Sequence, residues 1–160
     1  MKEPVDKEFV GIISQYSAVI YRVASFYADE GNPLGDLYQE IVVHLWKGYP
    51  SFRGESAVST WIYRVALNTC LALYRSNRRR PQSVTLNVDL PEREEDREML
   101  AELYDRINRL KRFERALILL YLEDRSYQEI AEITGLSVTN VATKLSRIRE
   151  KLKNMDNGIG

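Results

Sequence analysis

The sequence of 160 residues is short of cysteine and histidine, with one residue of each, Cys70 and His44. One cysteine cannot form a disulfide within the chain, so a reducing cellular interior is the expected setting. A secretion signal is also lacking, because the first six residues include acids and no apolar stretch. The longest unbroken apolar run, residues 116–122, is far shorter than the roughly 20 residues that cross a bilayer. We therefore expect a cytoplasmic protein without membrane insertion.

Sequence patterns of catalysis are missing as well. We find no Ser-His-Asp arrangement, no glycine loop for a phosphate and no paired carboxylates in an apolar pocket. Asp36, Glu40 and His44 stand at i, i+4 and i+8, but one helix supplies too few converging ligands for a closed metal site. The simpler interpretation is a solvated or partner-binding acidic face. We predict that the protein is not an enzyme and uses no catalytic residue, cofactor, metal or small-molecule substrate.

Charge of neither sign predominates, since 23 basic residues balance 23 acidic ones, but the charges are segregated along the chain. Residues 56–80 contain five arginines and no acid, and residues 140–153 contain five basic residues and one acid. In contrast, residues 1–40 hold seven acids against three bases, and residues 89–105 hold eight against two. Alternating basic and acidic segments indicate a protein that contacts both nucleic acid and protein.

Apolar residues recur at helical spacing through most of the chain, and we find no strand pattern and no internal repeat. The spacing predicts helices over about 9–27, 34–46 and 60–77, with the first ended by Gly31-Asn32-Pro33. The pattern disappears from about 78 to 96, where three consecutive arginines, two prolines and a run of charges are typical of an extended linker. We therefore predict an all-α fold with two small helical domains, residues 1–77 and 97–160, joined by a flexible linker, residues 78–96.

The last two predicted helices form a helix-turn-helix pattern. Ser126 and Glu129 are spaced as a capping box, Gly135 stands where a helix end needs a positive φ, and Ser137 is placed to cap the next helix. An inward stripe is predicted at Val138, Val141, Leu145, Ile148 and Leu152. The other face carries short polar and cationic side chains suited to base edges and phosphates, namely Thr139, Asn140, Thr143, Lys144, Ser146 and Arg147. An ordinary helical hairpin with a solvated basic face is the alternative.

A second polar face is predicted on the third helix. Five side chains fall within about a third of its circumference, interrupted by Leu71; they are Thr60, Arg64, Asn68, Arg75 and Arg79. With the preceding loop that contains Phe52, Arg53 and Ser56, this face could hold a phosphate backbone and capture splayed-out bases. A merely solvated helix face is the alternative interpretation.

Four motifs then indicate a family. Phe52-Arg53-Gly54-Glu55-Ser56-Ala57, leading into Thr60-Trp61-Ile62-Tyr63-Arg64-Val65-Ala66-Leu67-Asn68-Thr69, resembles region 2 of the extracytoplasmic-function (group IV) sigma factors of bacterial RNA polymerase. Asp36-Leu37-Tyr38-Gln39-Glu40 is similar to their preceding helix. Ser126-Tyr127-Gln128-Glu129-Ile130-Ala131 and Leu145-Ser146-Arg147-Ile148-Arg149-Glu150-Lys151-Leu152 resemble region 4. The resemblance spans about Phe9 to Lys153 and keeps the family's order of motifs.

The resemblance implies a role for each surface. The first domain would bind the clamp helices of the polymerase's largest subunit through Asp36, Gln39 and Glu40. It would also read and help melt the -10 element through Phe52, Arg53, Ser56, Thr60, Trp61, Arg64, Asn68 and Arg75, with the loop from Phe52 to Ser59 holding an extruded base. For Trp61 a buried structural role stays open. The second domain would read the -35 element through Ser137, Thr139, Asn140, Thr143, Lys144, Ser146 and Arg147.

The resemblance also implies partners: core RNA polymerase, at its clamp helices and flap, promoter DNA and an anti-sigma factor. The linker would run toward the RNA exit path of the polymerase. One departure concerns Ala142, where many relatives carry a basic residue, so the promoter sequence does not transfer from them. The competing hypothesis is a stand-alone helix-turn-helix regulator that binds operators as a dimer, which leaves the first domain without a role.

Overall fold

The structure is a computed structural model that describes residues 3–52, 54, 56–77 and 92–155. Its regular elements are helices throughout these residues, which confirms the predicted all-α fold. They are α1 (Glu3–Tyr27), α2 (Leu34–Gly48), a 3-10 turn (Tyr49–Ser51), α3 (Val58–Asn77), α4 (Glu94–Ile107), α5 (Arg112–Leu122), α6 (Tyr127–Thr134) and α7 (Val138–Asn154). The chain divides into two compact units, Met1–Arg79 and Arg80–Gly160. Helix α4 begins at Glu94, within the last three residues of the predicted linker.

The N-terminal unit is a bundle in which α1, α2 and α3 all pack against one another. Each helix contributes aliphatic side chains that are almost completely removed from solvent, namely Ile20, Val23, Leu37, Ile41, Leu45 and Ile62. Full burial of one such side chain contributes about 1.5–3 kcal/mol relative to exposure, so this shared core holds the three helices together.

Helix α1 is also long and apolar enough to cross a membrane, by length and composition only. An 18-residue window within the segment from Asp6 to Tyr27 has a mean hydropathy of 1.2, and 33% of that window is buried inside the protein. Polar residues, among them Gln15 and Arg22, interrupt this segment, so it contains no long unbroken apolar run. A core helix passes the same test, and Ile20 and Val23 are buried in a helix that packs against α2 and α3. The segment is therefore weak evidence for a membrane span.

The C-terminal unit is centred on α5, which buries six consecutive residues, 115–120, and packs against α6 and α7. On α7 the residues Val141, Leu145, Ile148 and Leu152 are buried, as their spacing predicts. The prediction for Val138 is wrong, because this side chain is 47% exposed. At 100° per residue, Val138 lies about 50° from the centre of the arc formed by the four buried residues. This angle still falls within an apolar stripe of about 100°, so the exposure of Val138 follows from its place at the first residue of α7 rather than from its angle about the helix.

Candidate nucleic-acid interface

The helix-turn-helix of the C-terminal unit is built by local hydrogen bonds. At the start of α6 the Glu129 N–H donates to Ser126 Oγ at 3.0 Å, and the Ser126 N–H donates to Glu129 Oε1 at 2.9 Å. Gly135 ends α6 with a φ of 83°, a conformation that costs glycine nothing and other residues more. Ser137 Oγ then accepts from the Asn140 N–H at 3.1 Å. The predicted capping box, glycine turn and second cap are all confirmed.

These caps place the predicted polar face of α7 on the surface. Thr139, Asn140, Thr143, Ser146 and Arg147 are exposed, and Lys144 is half-buried. No acid occurs on this helix before Glu150, so the face is neutral to cationic over its first three turns. A helix with these properties is suited to enter a major groove, where short polar side chains meet base edges and cations meet phosphates.

A cleft of about 160 Å³ lies between α5 and α7 and is lined by Phe113, Glu114, Leu117, Lys144, Arg147 and Ile148. Glu114 Oε1 lies 3.1 Å from Lys151 Nζ. Burial alone would raise the pKa of Glu114, but the Lys111 backbone N–H and the Lys151 ammonium together lower it. The one acid that lines the cleft therefore stays ionised and is paired with the Lys151 ammonium, which offsets its repulsion of an approaching phosphate.

The N-terminal unit holds its predicted base-capturing loop with aromatic contacts. Phe52 stacks on Trp61 with ring centroids 4.7 Å apart and an interplanar angle of 22°. Tyr49 lies 6.1 Å from Trp61 and 5.5 Å from Phe9 by ring centroids, so the start of the loop is anchored to α1 and α3. Offset stacking of two rings contributes about 0.5–1.5 kcal/mol beyond the area that it buries.

Two of the predicted -10 residues are core residues. Thr60 is 2% exposed and Trp61 is 8% exposed, so neither side chain is accessible to a DNA strand in this structure. For Trp61, the structure shows the buried structural role that the sequence left open. Spacing along α3 placed Thr60 on the polar face, but in the structure this side chain is buried, whereas Val58 and Ser59 beside it are half-buried.

The rest of the predicted -10 face is partly accessible. Asn68 is exposed, while Arg64 and Ser56 are half-buried. Arg53 lies outside the described residues, as do the side chains of Arg75 and Arg79. Asn68 and Arg64 are one helical turn apart on α3, which places an amide and a guanidinium on adjacent positions of one face.

Helix α2 presents a larger face than the sequence motif indicates. Asp36 and Gln39 are exposed and Glu40 is half-exposed. Val43 and Trp46 continue this face at spacings of three residues and are 41% and 42% exposed. Both residues could have been assigned to this face from sequence, because Val43 and Trp46 follow Glu40 at steps of three residues along the helix. Two exposed apolar side chains beside carboxylates are typical of a protein-binding surface.

His44, the third member of the possible metal set on α2, contacts α3 instead. The Thr69 hydroxyl donates to the Val65 carbonyl at 2.8 Å, so its oxygen accepts from His44 Nδ1 at 2.7 Å. His44 Nε2 lies 4.0 Å from Glu40 Oε1. Within the described residues, no group of three or more potential metal ligands comes together.

Comparisons with known proteins agree with this architecture. The family models Sigma-70 region 2 and Sigma-70 region 4 match residues 12–80 and 100–152. The chain is 31% identical to the ECF RNA polymerase sigma-E factor of Haemophilus influenzae, over 92% of this chain and 87% of that protein. It is 35% identical to the RNA polymerase sigma factor YlaC of Bacillus subtilis, over 74% of each.

Two solved structures share the fold. The structure of CnrH in complex with the cytosolic domain of CnrY matches with a TM-score of 0.70 and 24% identity, over 97% of this chain and 91% of that one. The sigma factor RpoE of Bartonella quintana, in complex with the anti-sigma factor NepR, also matches with a TM-score of 0.70, at 17% identity over the full length of both chains. At these identities the likeness concerns the fold alone.

Proposed function

Since the chain belongs to the extracytoplasmic-function sigma factors of bacterial RNA polymerase, we propose that its two units divide promoter recognition between them. As a sigma factor, it directs core polymerase to promoters and initiates transcription. In our proposal α7 reads the -35 element, α3 and the preceding loop read the -10 element, and α2 binds core polymerase. We keep residues 1–77 and 97–160 as the two domains and 78–96 as the linker.

The observation that carries the proposal is the exposed face of α7. Ser137 caps the helix, and the side chains that follow on the outer face are short and polar or cationic. Of the predicted -35 residues, Arg147 and Lys144 also line the cleft beside α5. A guanidinium at this position can reach a base edge or a phosphate at the rim of the groove.

Arg147→Ala tests the -35 assignment. We expect weaker dependence of the holoenzyme on the -35 sequence, because each lost base contact costs about 1–3 kcal/mol. Lys153→Ala removes an exposed cation from the last turn of the same helix and should leave the -35 preference unchanged. If Arg147→Ala also leaves that preference unchanged, Arg147 does not belong to the reading face.

For the -10 element the proposal rests on Asn68 and Arg64, which lie one turn apart on the accessible part of α3. The Phe52–Trp61 stack supports it, because the ring of Phe52 fixes the start of the loop on α3. In this proposal Thr60 and Trp61 position the loop and the start of α3. Phe52, Arg53, Ser56 and Arg75 stay in the predicted -10 set.

Asn68→Ala and Arg64→Ala should impair open-complex formation while core binding stays intact. Permanganate reactivity of unpaired thymines would measure promoter melting, and co-elution with core polymerase would measure binding. Gln15→Ala, an exposed polar change on α1, is the matched control and should affect neither. Equal loss of core affinity in the α3 variants would show that this face contacts protein instead of DNA.

The proposed core-binding face consists of Asp36, Gln39 and Glu40, and we add Val43 and Trp46 from their exposure on the same helix. Exposed apolar groups beside carboxylates fit a partner surface that combines apolar and basic side chains. The polymerase clamp helices are the proposed partner for this face. The polymerase flap is the proposed partner of the C-terminal unit.

We extend four further expectations to this chain. A solved neighbour holds a sigma factor with an anti-sigma factor, which supports an anti-sigma partner here. Action on RNA polymerase supports a cytoplasmic location and a role as an initiation factor rather than an enzyme. Family membership favours this role over a stand-alone operator-binding regulator. In a mobility-shift assay we expect the free chain to bind promoter duplex weakly and to bind specifically only with core polymerase.

A further inference from the structure

The first turn of α7 exposes an apolar side chain where a DNA-reading helix meets base edges. Val138 is 47% exposed and immediately follows the capping residue Ser137. A single exposed valine elsewhere on a protein surface has no special meaning. Here its position matters, because the N-terminal residues of the second helix in a helix-turn-helix contact bases in the major groove.

One neighbouring polar group on this part of α7 already has its donor engaged. The Thr143 hydroxyl donates to the Thr139 carbonyl at 3.0 Å, so its proton is held by the helix backbone. Ala142, one turn beyond Val138 on the same side, carries only a methyl group, whereas Lys144 is the first cation on the helix. On the side that includes Val138, the first two turns expose the side chains of Val138 and, partly, Ala142, whereas Thr139, Asn140 and Thr143 lie on other faces of the helix.

Methyl groups distinguish one base from the other three in the major groove. Thymine presents a C5-methyl group there, whereas guanine and adenine present N7 acceptors and cytosine presents an amino donor. Apolar side chains pack against the thymine methyl, and they leave the polar edges of the other bases without partners. A surface of the kind found around Val138 thus favours thymine.

We propose that Val138 contacts the C5-methyl group of a thymine in the -35 element, so that a T·A pair is selected where α7 begins. This inference rests on the proposed placement of α7 in the -35 major groove. In this proposal Val138 determines specificity, although the apolar periodicity of the helix predicts a core residue at this position.

The test uses holoenzyme reconstituted from the full chain and core polymerase. Selection from a promoter library with a randomised -35 element should enrich thymine at one position. Replacing that thymine by deoxyuridine removes only the methyl group and should weaken binding about fourfold, the equilibrium ratio that corresponds to one buried methyl-sized group. With Val138→Ala, the thymine and deoxyuridine promoters should bind equally.

Leu122→Ala removes another exposed apolar side chain of the same unit and should keep the fourfold discrimination. The inference is overturned if no deoxyuridine substitution weakens binding, or if Val138→Ala keeps the discrimination at every thymine. Arg147→Ala distinguishes failure of the methyl contact from failure of the proposed placement of α7. If it weakens -35 dependence while Val138→Ala changes nothing, the helix placement stands and only the methyl contact is wrong; if neither variant matters, the placement itself is wrong.

Discussion

Gly135 closes the turn of the helix-turn-helix in a conformation that an L-residue adopts only at a cost. Its φ is 83°, and a Cβ built on it would meet no atom within 4 Å. Gly135→Ala therefore adds no steric clash with neighbouring atoms. Its effect on stability comes only from the strain of a left-handed backbone conformation in alanine. Placing a Cβ in the left-handed region costs roughly 1–2 kcal/mol, which changes the ratio of folded to locally unfolded molecules by a factor of about 5–30.

Amide hydrogen exchange in the full chain would measure this change, because it reports on each helix separately. We expect exchange in α6 and α7 of Gly135→Ala to be about 5–30 times faster. Gly35→Ala is the matched control, because Gly35 lies within α2 and its Cβ would also meet nothing within 4 Å. It should slow exchange in α2 or leave it unchanged, because Gly35 stands in the first turn of α2 rather than in its middle, where the gain would be about 0.5–1 kcal/mol. Gly135→Asn should cost less than Gly135→Ala, since asparagine tolerates this conformation.

The reasoning fails if Gly135→Ala leaves exchange in α6 and α7 unchanged, or if Gly35→Ala and Gly135→Ala shift exchange in the same direction. Equal effects of alanine and asparagine at position 135 would also contradict it. In that case the turn would depend on something other than the backbone conformation of Gly135.

Two further predictions concern the helix caps. Ser137→Ala removes the acceptor for the Asn140 N–H and should cost about 1 kcal/mol, measured as faster exchange in the first turn of α7, whereas Ser146→Ala on the same helix should not increase exchange. The Ser126 backbone N–H lowers the pKa of Glu129 below the usual 4.5, helped by the Ser126 hydroxyl and by Arg125. A lowered folded pKa means that this stabilisation is present above about pH 4.5 and is lost as the pH falls through the folded value. Glu129→Gln should reduce the pH dependence of unfolding below pH 4.5, and an unchanged acid limb would contradict the assignment.

Local features of this protein could be predicted well from sequence. The capping box at Ser126, the glycine at 135 and the cap at Ser137 each depend on atoms within about three residues, so the spacing contains all the information. The family followed from motifs in both halves of the chain, and the comparisons confirm it. The contacts with DNA and polymerase assigned to individual residues stay predictions.

Sequence by itself therefore determined the all-α fold, the caps of α6 and α7 and the family, although α1 begins at Glu3 rather than near residue 9. Only the tertiary structure decided which face of each helix is covered. Val138 has the spacing of a core residue and is exposed; Thr60 has the spacing of a surface residue and is buried. Val43 and Trp46 extend the exposed face of α2 beyond its motif. The physical reason is that helical periodicity gives the angle of a side chain about its own axis, while burial depends on where neighbouring helices lie along that axis.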